Sequence, residues 1–374
     1  MMRAALFGIL IACAAAQPLA AEQYYREELR IPVPGAGPHG LEALLVRPQG
    51  REPYPLALIS HGTSHDAQVR QDMTPYGFYR QAIEFARRGF ASLVVMRRGF
   101  GGSGGDYADG NGCCTLATYL RSASAGADDL RAAVAAMKGR ADVTTQGMIA
   151  VGVSSGGFAT VSLTSDPPPG LAAAVNFAGG LHRASLTGTG IHNGDDEAAL
   201  VDAFATLGRS SRTPMLWIYA ENDSFFRPDL AHRLHAAFIA GGGRAQLIDA
   251  PAFESDGHNL FSRGTPIWTG MVDDFLRQQN LGPGHLLAAP TPPALSPPPR
   301  LSESGRAAFA DYLAMIGPHK AFAVSPRGAY GFRGGTRSPS KAQSEALAAC
   351  ARHAPDCSLY AVEDELAATG NAGR

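Results

Sequence analysis

Short apolar runs alternate with longer amphipathic segments from Leu56 to about residue 281. The runs are "PLALISHG", "ASLVVMRRG", "GMIAVGVSSGG", "LAAAVNFAGG", "PMLWIYAEND" and "AQLIDAP". Each has strand length and is apolar at consecutive positions, the pattern of strands covered on both faces. Between them, "YRQAIEFARRG", "AGADDLRAAVAAMKGR", "DLAHRLHAAFIAGGG" and "WTGMVDDFLRQQN" carry apolar residues at helical spacing. Strand, helix, strand repeated this way predicts an α/β protein: a mostly parallel sheet with right-handed crossovers and helices on both faces. Two earlier segments, "EELRIPV" and "LEALLVRP", read as antiparallel strands that precede it. Ligands in such sheets bind beyond the carboxyl ends of the strands, so polar residues at those ends are the candidates for chemistry.

The rhythm lapses in three places. Residues 181–210 carry scattered glycines and the acidic Asp195, Asp196 and Glu197, and read as a cap over the strand ends with one helix near "AALVDAFATLG". Residues 282–300 are too proline-dense for a helix or central strand and predict a semi-rigid extended linker. Residues 301–374 then read helix, strand, turn, strand, helix, strand: a small α+β module without a catalytic constellation. At the other end, residues 1–21 combine Arg3, an apolar segment and small residues before a cleavage point near Ala20 or Ala21, the pattern of a secretory signal peptide. The expected division is thus 1–21 signal, 22–281 catalytic domain, 282–300 linker and 301–374 C-terminal module.

"GVSSG" (Gly152 to Gly156) fits G-x-S-x-G at the junction of a predicted strand and helix. That spacing forces the middle serine, Ser154, into a strained turn at the helix N-terminus, where backbone N–H groups and the helix dipole favour negative charge. A serine hydroxyl is a weak nucleophile and needs a base oriented by an acid. His258, in a glycine-punctuated loop after the last strand, is the candidate base. Asp223, just past "MLWIYA", is the candidate acid, with Glu221, Asp229 and Asp256 as rivals. The order Ser, Asp, His takes each residue from a later strand end. An oxyanion would be held by the backbone N–H groups of Ser155 and of Thr63 in "HGTSHD", with His61 structural and His65 either lining the pocket or a plain loop residue. Arg97, Arg98 and Asp106 are expected to tie down "RRGFGGSGGDY" by charge-assisted bonds, and "DYADGNGCCT" to form a mobile rim.

These segments together resemble a bacterial α/β-hydrolase of the dienelactone hydrolase-like group. The resemblance covers residues 25–280 and rests on "SHGTSHD", "RRGFGGSGG", "GVSSGG", "AENDSFF" and "DGHNLF", in that order. It implies the α/β-hydrolase fold and is specific for the superfamily, not for a substrate. Dienelactone hydrolase uses a cysteine where this chain has Ser154. The glycine-rich loop also resembles one in serine peptidases and acyl esterases of the same fold, and the C-terminal module resembles a small domain appended to some secreted proteobacterial hydrolases.

Composition narrows the field. The 374 residues are 45% hydrophobic and 17% charged, with a formal net charge of −1 and no long run of one sign, so no basic face invites nucleic acid. The glycine loop lacks the G-K-[ST] of a phosphate loop, and the histidines and cysteines lack metal-ligand spacing, so neither cofactor nor metal is expected. No membrane span is expected. "LIAC" ahead of Cys13 resembles a lipobox, an alternative that would anchor the chain by lipid. In an exported chain Cys350 and Cys357 are expected to pair, while Cys113 and Cys114, adjacent in sequence, leave several states open. The expectation is a periplasmic or secreted carboxylesterase acting on a small-molecule ester. A peptidase or amidase of the same fold is the closest alternative, and a non-catalytic envelope-binding protein the alternative of another class. Oligomeric state is left open.

Overall fold

The computed structural model describes residues 23–110, 114–182, 194–282 and 285–367. The signal segment, Cys13, Cys113 and the middle of the 181–210 excursion lie outside the described residues. In chain order the elements are β1 (Tyr24–Ile31), β2 (Leu41–Pro48), β3 (Tyr54–Ser60), α1 (Ala67–Asp72), α2 (Tyr79–Arg87), β4 (Ala91–Val95), α3 (Leu116–Met137), β5 (Val143–Val153), α4 (Ser155–Ser165) and β6 (Leu171–Phe177). There follow α5 (Gly194–Gly208), β7 (Met215–Ala220), α6 (Pro228–Ala240), β8 (Ala245–Ala250), α7 (Leu260–Arg263) and α8 (Thr265–Gln278). The last set is α9 (Glu303–Ala314), β9 (Ala321–Val324), β10 (Tyr330–Arg333), α10 (Pro339–Ala351), β11 (Ser358–Val362) and β12 (Glu365–Leu366).

Strands β1 to β8 form one sheet in the order β1-β2-β4-β3-β5-β6-β7-β8. β2 pairs antiparallel with β1 and β4; every pairing from β4 to β8 is parallel. This is the α/β-hydrolase fold. Because side chains alternate across a strand, each strand feeds two cores. Leu56, Leu58, Ala150 and Trp217 pack with α3, α4, α5 and α6, whereas Ala57, Ile59, Val151 and Ile218 pack with α2 and α8. The continuous apolar runs follow from this: both parities are buried.

α3 begins at Leu116, ahead of the "AGADDL" pattern. Thr115 caps it, its side chain accepting from the Thr118 N–H while the Thr118 hydroxyl takes the Thr115 N–H. That reciprocal box ordinarily uses Glu or Gln at the fourth position, which is why the start is hard to read.

A second sheet, β10-β9-β11-β12, is antiparallel throughout. α9 covers one face, with Phe309 and Tyr312 on Phe322; α10 covers the other, with Ala342, Ala346 and Cys350 on Ala321 and Ala323. Cys350 on α10 and Cys357 before β11 form a disulfide with S–S 2.00 Å. Among its described residues the proline-rich stretch has no helix or strand but is held at intervals. Leu287 exchanges bonds with Arg87, Tyr24 Oη donates to Ala288 O, and Tyr360 Oη donates to Ser296 O.

The two cores of this second sheet are small, so the disulfide carries a large share of its stability. Replacing both Cys350 and Cys357 by Ser is expected to destabilise it by about 2–3 kcal/mol from loop-closure entropy. Denaturant unfolding of the oxidised wild type against the double variant measures this.

Candidate active site

The chain leaves β5 at Val153 and enters α4 at Ser155, and Ser154 makes the whole turn at φ 56° and ψ −126°. A non-glycine residue at that φ is strained and persists only where its surroundings hold it. They do so from both sides. Ser154 N–H donates to Phe177 O at 3.0 Å, and Ser154 O accepts from Phe158 and Gly180 N–H at 3.0 and 3.1 Å. Gly152 and Gly156 are required by proximity, since a Cβ at 152 would run into Gly156 and Thr160, and one at 156 into the Ser60 and His61 carbonyls. Ser154 stays 7% exposed, at the carboxyl end of the sheet.

Asp223 follows β7 and is buried. Its Oδ1 accepts from Phe225 and Phe226 N–H, both at 2.8 Å, which fixes the carboxylate. Oδ2 lies 3.0 Å from His258 Nδ1. The imidazole packs against the Phe225 and Phe226 rings, 4.6 and 5.8 Å between centroids. The Phe226 ring in turn lies on Gly180, the residue bonded to Ser154 O. Ser154, Asp223 and His258 thus follow β5, β7 and β8, at the carboxyl end of one sheet with β6 between the first two. Among the described residues no hydrogen bond joins His258 to Ser154; catalytic bonds of this kind commonly tighten only when substrate arrives.

Asp256 has a different task from Asp223. Its Oδ1 accepts from His258 N–H at 2.9 Å and from Ser224 N–H at 3.1 Å, and its Oδ2 from Ser224 Oγ at 2.7 Å. Burial works against its ionisation, but these bonds, led by the one from His258 N–H, hold its pKa below the ordinary carboxylate value. Asp256 thus fixes the loop's backbone and Asp223 faces the ring.

Below Ser154, the guanidinium of Arg97 is fully buried. Nη2 donates to Asp109 Oδ2 and to Ser155 Oγ, each at 2.8 Å; Nη1 donates to Ser60 Oγ at 2.8 Å and to His61 O. His61 Nε2 accepts from Arg97 N–H at 2.9 Å, so Nδ1 carries the proton and donates to Gly62 O at 2.6 Å. Burial first, then the Arg97 charge, hold the His61 pKa well below 6.5, with the Gly62 bond opposing. His61 is a neutral structural imidazole.

Thr63 and Ser155 belong to the two segments that meet at Ser154. Gly62 comes so close that a Cβ there would sit 3.1 Å from Ser154 Cβ, and Ser155 is the first residue of α4. Thr63 Oγ1 is 2.5 Å from Tyr107 Oη, and Arg70 stacks over the Tyr107 ring at 4.1 Å. Burial, followed by the Asp109 charge, pushes the Tyr107 pKa up to about 12, so the phenol keeps its proton.

Two expectations change, and the acidic cluster gains partners. The partners of Arg97 and Arg98 are Asp109 and Asp129, not Asp106. Asp109 is 2% exposed, so the stretch expected to be a mobile rim is anchored at that point. In the acidic cluster, Glu197 is taken by Arg227 at 3.1 Å and Arg233 at 2.8 Å. Sequence reasoning misses Tyr107, and nothing local marks it: its partner lies 44 positions away. On α6, His232 faces Asp249 at 3.0 Å in solvent and His235 bonds Ala245 O at 3.0 Å. Among the described residues no three His, Cys, Asp or Glu side chains group as metal ligands, and no helix is long and apolar enough to cross a membrane.

A family model described as X-Pro dipeptidyl-peptidase (S15 family) matches residues 37–237, more than half of the chain. The matched span includes Thr63, Ser154 and Asp223 and ends before His258. No curated protein matches. Similar solved structures include a putative dienelactone hydrolase from Klebsiella pneumoniae, 14% identical over 69% of this chain and 98% of that one, TM-score 0.46. An acylaminoacyl peptidase of Pyrococcus horikoshii is 14% identical over 69% of this chain and 42% of that one, TM-score 0.49. Esterase 2 of Thermogutta terrifontis, phosphoramylated by tabun, is 18% identical over 71% and 97%, TM-score 0.45.

Removing Asp109 would leave Arg97 charged and unpaired in the interior. Asp109→Ala is expected to lose about 3–5 kcal/mol in denaturant unfolding, far more than a surface pair would. His61 gives a pH dependence. The unfolded chain takes up a proton near pH 6.5 that the folded chain refuses, so this contribution to stability is complete above 6.5 and shrinks as pH falls. The unfolding midpoint should drop between about pH 7 and 5 while the ¹⁵N imidazole signals of His61 remain those of the neutral ring.

Proposed function

The chain belongs to the S15 family, described as X-Pro dipeptidyl-peptidase, and is a serine hydrolase; we propose that Ser154, Asp223 and His258 are its catalytic triad and that it hydrolyses carboxylic esters. One geometry carries this reading. His258 Nδ1 stands 3.0 Å from a buried Asp223, itself fixed by two backbone N–H groups, at the strand ends that hold the strained Ser154.

The chemistry follows from those contacts. With Nδ1–H donated to Asp223, His258 Nε2 carries the free lone pair and takes the proton of Ser154 Oγ as that oxygen attacks the ester carbonyl. Asp223 stabilises the resulting imidazolium without taking its proton. The N–H groups of Ser155 and Thr63 receive the oxyanion; one such donor is typically worth about 2.7–4 kcal/mol in the transition state. The imidazolium returns its proton to the leaving alkoxide, leaving an acyl-enzyme. Water, deprotonated by the same nitrogen, then attacks the acyl carbonyl, and Ser154 leaves with the proton. Every step uses groups that this chain itself supplies.

Amide cleavage is the second reading, favoured by the family match, since His258 can protonate an amine leaving group equally well. A peptidase that trims from a free N-terminus needs a carboxylate to receive the ammonium. Glu197 does not offer one, because two arginines already neutralise it. Glu197 is therefore engaged within the fold, and the choice between ester and amide rests on the paired turnover assay. Export to the periplasm or beyond, and the division at 282–300 into a catalytic domain and an appended module, belong to the same proposal. The Cys350–Cys357 disulfide and the separate cores of the second sheet support them.

A fluorophosphonate probe should label the wild type and not Ser154→Ala. Asp223→Asn should lower kcat by about 10⁴-fold, whereas Asp256→Asn should stay within about tenfold of wild type. Labelling that persists in Ser154→Ala would overturn the triad. Folded wild type that no probe labels would indicate a binding protein. Turnover of p-nitrophenyl esters beside X-Pro and aminoacyl anilides decides between ester and amide.

A further inference from the structure

The small C-terminal sheet touches the hydrolase body next to the glycine-rich loop. Arg337, just before α10, forms a two-point bond to Glu42 on β2, with Nε to Oε1 at 3.1 Å and Nη2 to Oε2 at 3.0 Å. The same Nη2 donates to Met73 O at 3.0 Å. Beside it, Thr74 Oγ1 donates to Gly335 O at 2.7 Å. Glu42 is the hub of this contact. Its Oε2 also accepts from Gly102 N–H at 2.6 Å, and its backbone N–H donates to Ser103 Oγ at 2.9 Å.

From Glu42 a chain of contacts runs to Thr63. Gly101 N–H donates to Arg70 O at 2.9 Å, and the Arg70 guanidinium covers the Tyr107 ring while donating to Ser64 O and His65 O at 2.7 and 2.8 Å. Tyr107 bonds the Thr63 side chain. Gly101 has φ +57°, and a Cβ there would lie 2.6 Å from Met73 O, 2.8 Å from Glu42 Oε2 and 3.3 Å from Arg337 Nη2. The loop is shaped to receive the Glu42–Arg337 pair without a side chain intervening.

We propose that Arg337 of the C-terminal module is a positioning residue for hydrolysis: through Glu42 it holds the 99–107 loop and, by way of Arg70 and Tyr107, the Thr63 backbone that receives the oxyanion. The module is then a working part of the catalytic unit. Arg337 is 45% exposed in its side chain, and Glu42 12%. A pair this open contributes little to global stability. Its effect falls instead on the loop, since without Arg337 the Glu42 carboxylate loses its ion-pair partner while still holding Gly102. The inference rests on the assignment of Ser154 and Thr63 made above.

The test uses the full chain with an ester substrate and a fluorophosphonate. Arg337→Ala should lower kcat and the phosphonylation rate by roughly 5–30-fold, with KM within about twofold and Tm within about 2 °C. Arg337→Lys keeps the charge but not the fork, and should recover only part of the loss. Added guanidinium ion at low millimolar concentration should restore part of the Arg337→Ala rate and leave Glu42→Gln unmoved. Arg333→Ala, which removes an ion pair internal to the module, should match the wild type. Arg337→Ala with wild-type kcat and labelling rate would overturn the proposal, as would a loss confined to Tm. A wild type that fails to label defeats the assignment of Ser154 instead, so the two failures are distinguishable.

Discussion

Arg97 carries a positive charge at a place water does not reach, and several segments of the chain meet there to accommodate it. Desolvating such a group costs several kcal/mol, and only well-aligned partners offset that cost. Asp109 supplies the opposite charge, while Ser60 Oγ, His61 O and Ser155 Oγ take further N–H groups. These partners come from the end of β3, the stretch after the glycine-rich loop and the first residue of α4. The guanidinium therefore ties together the segments that meet at Ser154, where the oxyanion site is proposed. The neutral state of His61 follows from its burial first and from the Arg97 charge beside it second.

The strain at Ser154 makes sense on that base. A serine at φ 56° is unfavourable by itself, and it is held by bonds to the end of β6 and the turn that follows, and by glycines that let α4 pass close to β3. Asp223 and His258, the proposed acid and base, are fixed by other means. Asp223 is immobilised by two backbone N–H groups and His258 by the cap that Asp256 places on its loop. Asp223 and His258 thus face each other while backbone N–H groups take up the other Asp223 oxygen and the Asp256 cap holds the His258 loop. That arrangement lowers the reorganisation needed during reaction.

Much of this was legible in the sequence. The six apolar runs became β3 to β8, and the two alternating segments became β1 and β2. "GVSSG" turns between strand and helix, and Asp223 rather than Asp256 faces the His258 ring. The pairings were less legible. Arg97 and Arg98 were visible as charges needing partners, but the nearest acid, Asp106, is used by neither; Asp109 and Asp129 are. Glu197 stands in an acidic run with no basic neighbour in sequence, yet it is closed by Arg227 and Arg233 at the start of α6.

The sequence by itself determined what depends on near neighbours: element type from hydrophobic period, the elbow from the spacing of small residues around Ser154, and the order of the strand-end residues. The tertiary structure alone decided which distant groups share a charge or a hydrogen bond. Tyr107 with Thr63, Arg97 with Asp109 and Arg337 with Glu42 depend on how loops from different strand ends settle against one another. The physical reason is range. Backbone preferences act over a few residues and leave a periodic trace, whereas an ion pair across 295 positions leaves none until the chain has folded.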